Sequence, residues 1–210
     1  MRIAVTSALR PGDQKAHAIN VVKMAEGFAR LGHQVCLISG SRHEGVSFSE
    51  VRSRYGLSVE FEWEEVAECF GQHLGFAVRA FPRIKAFQPD LVYARSFACP
   101  WLYTQLGIDV VGESHAHPGN SSFWFRRFIA CTHRRRFKAW VTINEYLAER
   151  HRDAGAADKF VVLPDAVDPH VFRQSSSKSP FREIGPHVTY CGHLYDYKGI
   201  PTILAAAKFL

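Results

Sequence analysis

The most concentrated set of chemically competent side chains is Glu113-Ser-His115-Ala-His117. Residues two apart on an extended strand share a face, so a strand ending here would present one carboxylate and two imidazoles together. Three kinds of chemistry fit that set. A His-x-His pair with a carboxylate could hold zinc, although the sequence shows no fourth ligand and no second motif. The same groups could satisfy one another at a polar strand end. They could also line a ligand pocket, where a histidine donates to a hydroxyl without any change of charge.

Two other loops carry candidate residues. The segment SALRPGDQKAH, from residue 7, holds Gly12 at a turn, with Lys15 and His17 adding charge and hydrogen-bonding capacity. It could cradle phosphate, but it has one glycine and no G-x-G-x-x-G. A dinucleotide fingerprint is therefore absent, which argues against an NAD enzyme. Further on, GHLYDYKG places Gly192, His193 and Lys198 in one strand-to-helix turn. Either loop could equally be an ordinary turn between elements.

The elements that must position these residues follow from periodicity. Residues 3–5 read as a strand. Residues 17–31 read as a helix, with Val21, Met24, Ala25, Phe28 and Leu31 on one face and Gly32 as its stop. Residues 35–38 read as the next strand. A third strand is expected at 59–61, after a polar loop over 39–57 with room for one short helix. An amphipathic helix through Leu74, Ala77, Val78 and Phe81 should be kinked or shortened by Pro82. Strands at 91–94 and 110–112 and helices at 98–106 and 122–136 follow. Strands alternating with helices, with near-continuous apolar strands, predict a doubly wound α/β domain with a mainly parallel sheet. Ligands bind such sheets beyond the carboxyl ends of the strands. That rule selects residues 7–16, Arg95 and Ser96, residues 113–117, Asn144 and residues 164–168.

The chain is organised around AWVTINEYLAERHRDAGAADKFVVLPDAVDPHVF, residues 139–172. Residues 140–143 form a buried strand by pattern, Asn144 caps a helix carrying Glu145 in its first turn, Gly155 stops it, and residues 160–163 form another strand closed by Pro164. The run VTINEYLAER…AG…KFVVLPDAVDPHVF, followed by VTYCGHLYDYKGIPTILAAAKFL, resembles glycosyltransferase family 4 of the two-domain GT-B fold. The resemblance implies a Rossmann-like acceptor-side domain over residues 1–172, an interdomain linker over 173–186 around QSSSKS, and the start of a donor-binding domain over 187–210. One βα unit is too small to bury both of its faces, so that second domain is expected to be truncated. The family's acidic E-x7-E element would lie past Leu210.

By the same resemblance, Glu113-Ser-His115 matches the family's E-x-H element. His115 would hydrogen-bond the transferred sugar near the reacting carbon, and Glu113 would orient the loop or hydrogen-bond the acceptor. Gly12, Gly192, His193 and Lys198 would serve the donor diphosphate, Lys198 as a point charge. Lys15, His17 and Asn144 would lie on the acceptor side. His193 stands where the family commonly has arginine, and a histidine lacks the bidentate fork. Asp165-Ala166 replaces the usual Asn-Gly. The implied reaction is retaining transfer of a sugar from a nucleotide diphosphate to a hydroxyl of a glycan or lipid-linked acceptor. No cofactor or metal is expected, because basic side chains and helix N-termini neutralise the leaving diphosphate. This chain alone is expected to be inactive. A nucleotide-sugar epimerase or dehydrogenase is the competing enzyme class.

Bulk properties bound the rest. The chain has 210 residues, 47% of them apolar and 22% charged, an ordinary globular balance. No apolar run approaches the ~20 residues that span a bilayer, and five scattered cysteines form no CxxC pair. Both features predict a reduced, cytoplasmic protein. The net charge of +6 is uneven: residues 121–138 (SSFWFRRFIACTHRRRFK) hold Arg126, Arg127, Arg134, Arg135, Arg136 and Lys138 with no acid. A solvated helix face is one reading of that run. Peripheral attachment to an anionic membrane surface is the other, with Phe123 and Trp124 exposed near the helix start. Nucleic acid is not an expected partner, although a basic module binding membrane or nucleic acid is the non-enzymatic alternative.

Overall fold

A computed structural model describes residues 1–42, 46–67, 74–117, 119, 122–169, 189–192, 194–195 and 198–209. The chain divides into two compact units, Met1–Val171 and Phe172–Leu210.

The first unit is a parallel sheet wrapped by helices. Its strands are β1 (Arg2–Ser7), β2 (Gln34–Gly40), β3 (Glu62–Val66), β4 (Leu91–Ala94), β5 (Val110–Ser114), β6 (Phe137–Thr142) and β7 (Phe160–Val162). They lie in the order β3-β2-β1-β4-β5-β6-β7, and every pairing is parallel. The connecting helices are α1 (Ala16–Arg30), α2 (Phe48–Arg54), α3 (Leu74–Phe87), α4 (Ala98–Gln105), α5 (Phe123–Thr132) and α6 (Glu145–Asp153).

Strand alternation sends neighbouring side chains to opposite layers. Ile3 and Val5 join Val35 and Leu37 against Ala18, Val21, Val22 and Ala25 of α1. Ala4 joins Cys36, Ile38 and Val92 against Phe76, Ala80 and Ile84 of α3 and Tyr103 of α4. A sheet buried on both faces needs apolar residues at consecutive positions, hence the near-continuous apolar runs of β1, β2 and β4. The expected doubly wound α/β architecture is what forms. Because chain order reverses direction at β1, the carboxyl edges of β1 and β4 flank the switch point where such sheets take ligands.

Several expected boundaries are corrected. The third strand is residues 62–66, not 59–61. It is an edge strand whose exposed positions carry Glu62 and Glu64 while Val66 is buried, and charge on an edge masks an apolar pattern. Helix α2 is the one short helix for which the expected polar loop left room, so there the expectation holds. Its start follows Ser47-x-x-Glu50, with the Ser47 side chain accepting from the Glu50 amide at 3.2 Å, half of a capping box. Pro82 does not shorten α3, which runs on to Phe87. The carbonyl that loses its partner to proline belongs to Val78, a solvent-exposed position where water can satisfy it.

The helix expected over 122–136 ends at Thr132, and β6 begins at Phe137, before the expected Trp140. Arg134 turns back onto α4, donating to the Trp101 carbonyl at 3.3 Å and to Thr104 Oγ1 at 3.2 Å. Phe137 is then free to pack against Phe128, with ring centroids 5.5 Å apart. Gly112 of β5 lets α5 approach so closely: a Cβ there would sit 2.9 Å from Phe128 Cζ. Cys36, Cys99 and Cys131 are buried free thiols, and burial pushes Cys36 and Cys131 up to about 12.

In the second unit, α7 (Ile200–Ala206) starts after Gly199, which takes a φ of 75°, and runs into a 3-10 turn over Ala207–Phe209. The strand expected over 187–191 is absent from Thr189–Cys191. Its earlier residues, the linker over 173–186 and His193 lie outside the described residues.

Candidate active site

Of the residues selected by the strand-end rule, Arg95, Glu113, His115 and Asp165 come together at the carboxyl edge of the sheet. Glu113 is buried near the end of β5, and His115 follows just past its last residue. His115 Nε2 donates to Glu113 Oε1 at 2.5 Å. On the other side of the ring, Nδ1 lies 3.7 Å from Asp165 Oδ1. The Arg95 guanidinium, itself largely buried after β4, stands 4.0 Å from the same Glu113 oxygen. Arg95 is fixed in turn by Asn20 Oδ1 at 2.7 Å and the His17 carbonyl at 3.4 Å, both on α1. Residues that follow β4 and β5, braced by the first turns of α1, thus converge on one carboxylate.

Electrostatics explain why that carboxylate survives burial. Desolvation pushes the Glu113 carboxyl up. The His115 hydrogen bond, the Arg95 and His115 charges and the Tyr93 hydroxyl push it down harder, so it stays below its usual range. Glu113 Oε2 nevertheless has no hydrogen-bond partner meeting good geometry. Burial pushes Tyr93 up, as does its carboxylate neighbour. His17, with Nε2 3.0 Å from Ser7 Oγ, is lowered to about 4, first by desolvation and then by Arg95. It is a neutral hydrogen-bonding group at pH 7.

The expected single face of Glu113, His115 and His117 does not form. β5 ends at Ser114, and beyond it the chain bends, so strand period no longer applies. His117 goes to the other side, stacked on His151 at 5.2 Å and edge-on to Phe125 at 4.6 Å, with its Nδ1 accepting from the Gly119 amide at 3.1 Å. Among the described residues no three His, Cys, Asp or Glu side chains are grouped to hold a metal.

The remaining expected site residues are placed as follows. Gly12 is buried in a turn at φ 93°, and its amide donates to the Tyr55 hydroxyl at 3.0 Å. Lys15 is exposed just before α1, 3.8 Å from Asp13. Asn144 caps α6, accepting from the Leu147 amide at 2.8 Å. It also lines a cavity of about 410 Å³ with His115, His117, Tyr146, Leu147 and Arg150. In the second unit, Gly192 takes a φ of 154°, and Lys198 lies in the turn before α7. The loop after β7 is fastened to α1 at Asp168, which accepts from Lys23 at 3.0 Å and Arg30 at 3.3 Å.

Sequence reasoning singled out Arg95 only by its place at a strand end, and missed Asn20, Tyr93 and Arg150. Arg95 and Asn20 lie 75 positions apart in sequence, so only the β1/β4 pairing brings them together.

The pattern of Glycosyltransferase Family 4 matches residues 18–171. The chain belongs to that family. Comparison with curated proteins finds no sequence match. Among solved structures, sucrose-phosphate synthase from Thermosynechococcus elongatus superposes with a TM-score of 0.62 at 12% identity, over 81% of this chain and 49% of that one. HepE from Anabaena in complex with UDP gives 0.55 at 12% identity, over 83% and 46%. The UDP-GlcNAc 2-epimerase of Methanocaldococcus jannaschii gives 0.56 at 12% identity, over 77% and 45%. These likenesses establish a Rossmann-like fold of the GT-B type, and the family 4 chain spans under half the length of each structure.

Proposed function

We propose that the protein containing this chain transfers a sugar from a nucleotide diphosphate donor to an acceptor hydroxyl, with retention of configuration. The observation that carries the reading is the family match over residues 18–171, coinciding with a buried Glu113 that holds His115 at the carboxyl edge of the sheet. In that role His115 is the catalytic contact, donating to a sugar hydroxyl near the reacting carbon. Glu113 fixes the orientation of the ring. His17, neutral and close to Arg95, suits an acceptor hydroxyl, as do Lys15 and the rim residue Asn144. Gly12, Gly192, His193 and Lys198 are the proposed donor-phosphate residues, with Lys198 as the principal cation. The leaving diphosphate is stabilised by cations and helix N-termini without a resident metal.

HepE was solved with UDP, which supports a uridine donor as the first to try. The epimerase likeness is one of fold alone, and the family match favours transfer. Because the chain spans under half of the compared structures, turnover is expected from the longer protein and not from these residues alone. The test is transfer from a panel of nucleotide sugars, read by release of nucleoside diphosphate with and without acceptor. Free interconversion of donor sugars with no acceptor dependence would replace this reading with epimerisation.

We further propose a cytoplasmic site of action at an anionic membrane surface, with a lipid-linked acceptor. Three of the six basic residues in 121–138 are engaged within the fold: Arg136 and Lys138 pair with Asp109 at 2.9 and 3.0 Å, and Arg134 binds α4. Trp124 is half-buried against Trp101 instead of exposed. What supports attachment is the remainder: Phe123, 59% exposed, with the Arg127 guanidinium 5.2 Å over its ring and Arg126 exposed beside it. No helix among the described residues is long and apolar enough to cross a membrane.

A further inference from the structure

We infer that the cavity at the N-terminal end of α6 selects an acceptor carrying an anionic group, a phosphate ester or a carboxylate, attached to a hydroxylated ring. This rests on the transferase reading for its role, but the binding itself stands on the geometry of the cavity. The space is about 410 Å³, and His115 forms one part of its wall, so a ligand held there lies beside the proposed catalytic contact.

The charge of the cavity is one-sided. Arg150 lines it, and no Asp or Glu does. Nearby acids are turned elsewhere. Glu145 accepts from Arg152 at 2.7 Å, and Arg152 also reaches Asp158 at 3.0 Å. Glu113 and Asp165 face the His115 ring. Among the described residues Arg150 makes no ion pair, leaving the full donor fork of its guanidinium for a ligand oxygen pair. The field of Arg150 is felt within the cavity wall: after desolvation, it is what lowers His117.

The other wall residues add no competing cation. His117 has its Nδ1 occupied by Gly119, and its Nε2 is enclosed without a partner, so it offers a ring surface and not a charge. His151 behind it is fully buried. Tyr146, 70% exposed on the same first turn of α6, presents an aromatic face of the kind that covers the apolar side of a pyranose ring. Arg150 sits one helical turn further along, the i, i+4 neighbour of Tyr146. A ring stacked on Tyr146 would therefore place a substituent within reach of the guanidinium. The first turn of α6 contributes in the same sense, although its Leu147 amide is already taken by the Asn144 side chain.

The test is binding to the 210-residue chain, followed by amide and side-chain NMR shifts, with four probes: a hexose phosphate, a hexuronate, the neutral hexose and inorganic phosphate. Either or both of the anionic sugars should bind about tenfold more tightly than the neutral hexose and move Tyr146, Leu147 and Arg150. Comparing the two tells phosphate from carboxylate. Arg150→Met should abolish that preference while leaving the neutral hexose unchanged, and Arg150→Lys should restore part of it. Equal binding of charged and neutral sugars, an unaffected Arg150→Met variant, or shifts confined to residues 7–17 would overturn the inference. Transfer activity in the longer protein that ignores Arg150→Met would sink it alone. Absent transfer with Arg150-dependent binding intact would sink only the transferase reading.

Discussion

Glu113 and Ser114 are adjacent on β5, yet the side chains they lead to live in opposite surroundings. Glu113 opens onto charge: His115, Arg95 and Asp165, with His17 and Asn20 behind them. Ser114 opens onto rings. Its Oγ accepts from Trp140 Nε1 at 2.8 Å and sits 3.0 Å from His151 Nε2. His151 is fully buried, stacked 4.0 Å from Trp140 and 5.2 Å from His117. Desolvation, then the nearby His117, lowers it to about 3. The two histidine environments, one half-buried and one fully buried, teach that one strand end can place an imidazole for recognition on one face and for packing on the other. Which role a histidine takes follows from whether carboxylates or aromatic rings surround it.

The first way to break that comparison is to delete each imidazole in turn. His115→Ala should lower kcat/KM of the longer protein by about 10²–10³-fold, the loss of one positioned donor, with little change in Tm. His151→Ala should do the opposite. It empties a ring-sized space among Trp140, Phe125 and Phe160 and is expected to cost about 2–4 kcal/mol by denaturant unfolding, with kcat/KM of the folded fraction near wild type. A matching profile for the two variants would erase the distinction.

A smaller effect is expected from Glu113→Gln, which keeps shape and a hydrogen bond but leaves the Arg95 charge unbalanced. About 1–3 kcal/mol of stability should be lost, together with the orientation of His115. Gly112→Ala tests the packing face from the sheet side. Its Cβ would meet the Phe128 ring, and a loss of about 1–3 kcal/mol is expected from overpacking.

The gentlest probe is pH. His151 binds its proton far less readily folded than unfolded, so its contribution is complete above about 6.5 and is lost as pH falls toward about 3. His17, lowered to about 4, adds to the same window. Glu113, lowered in the fold, contributes above its unfolded value and loses that contribution as pH falls from there through its lower folded value. His151→Gln should flatten the fall in stability between about pH 6.5 and 4. An unchanged slope would show that the ring stack does not exclude the proton. On the membrane question, sedimentation with anionic and neutral liposomes at low and high salt should show weak, salt-sensitive recovery with the anionic vesicles, reduced in Phe123→Ser. Equal recovery on both lipids would return α5 to a solvated face.

What the sequence determined by itself was local. Apolar runs with glycine and proline punctuation specify strands and helices, the Asn144 cap and Gly155 stop bound α6, and motif spacing carries the family. These features survive because each depends on neighbours within a turn or a strand. What only the tertiary structure decided was which side chains meet. Ser47-x-x-Glu50 could have announced α2, but the charged edge strand β3 hid its pattern, and Pro82 stayed in α3 because Val78 faces water. No periodicity could show that Asn20 braces Arg95 beside Glu113, since that depends on β4 inserting beside β1. Nor could it separate His115 from His117, because the chain leaves strand geometry after Ser114 and the two-residue alternation ends there.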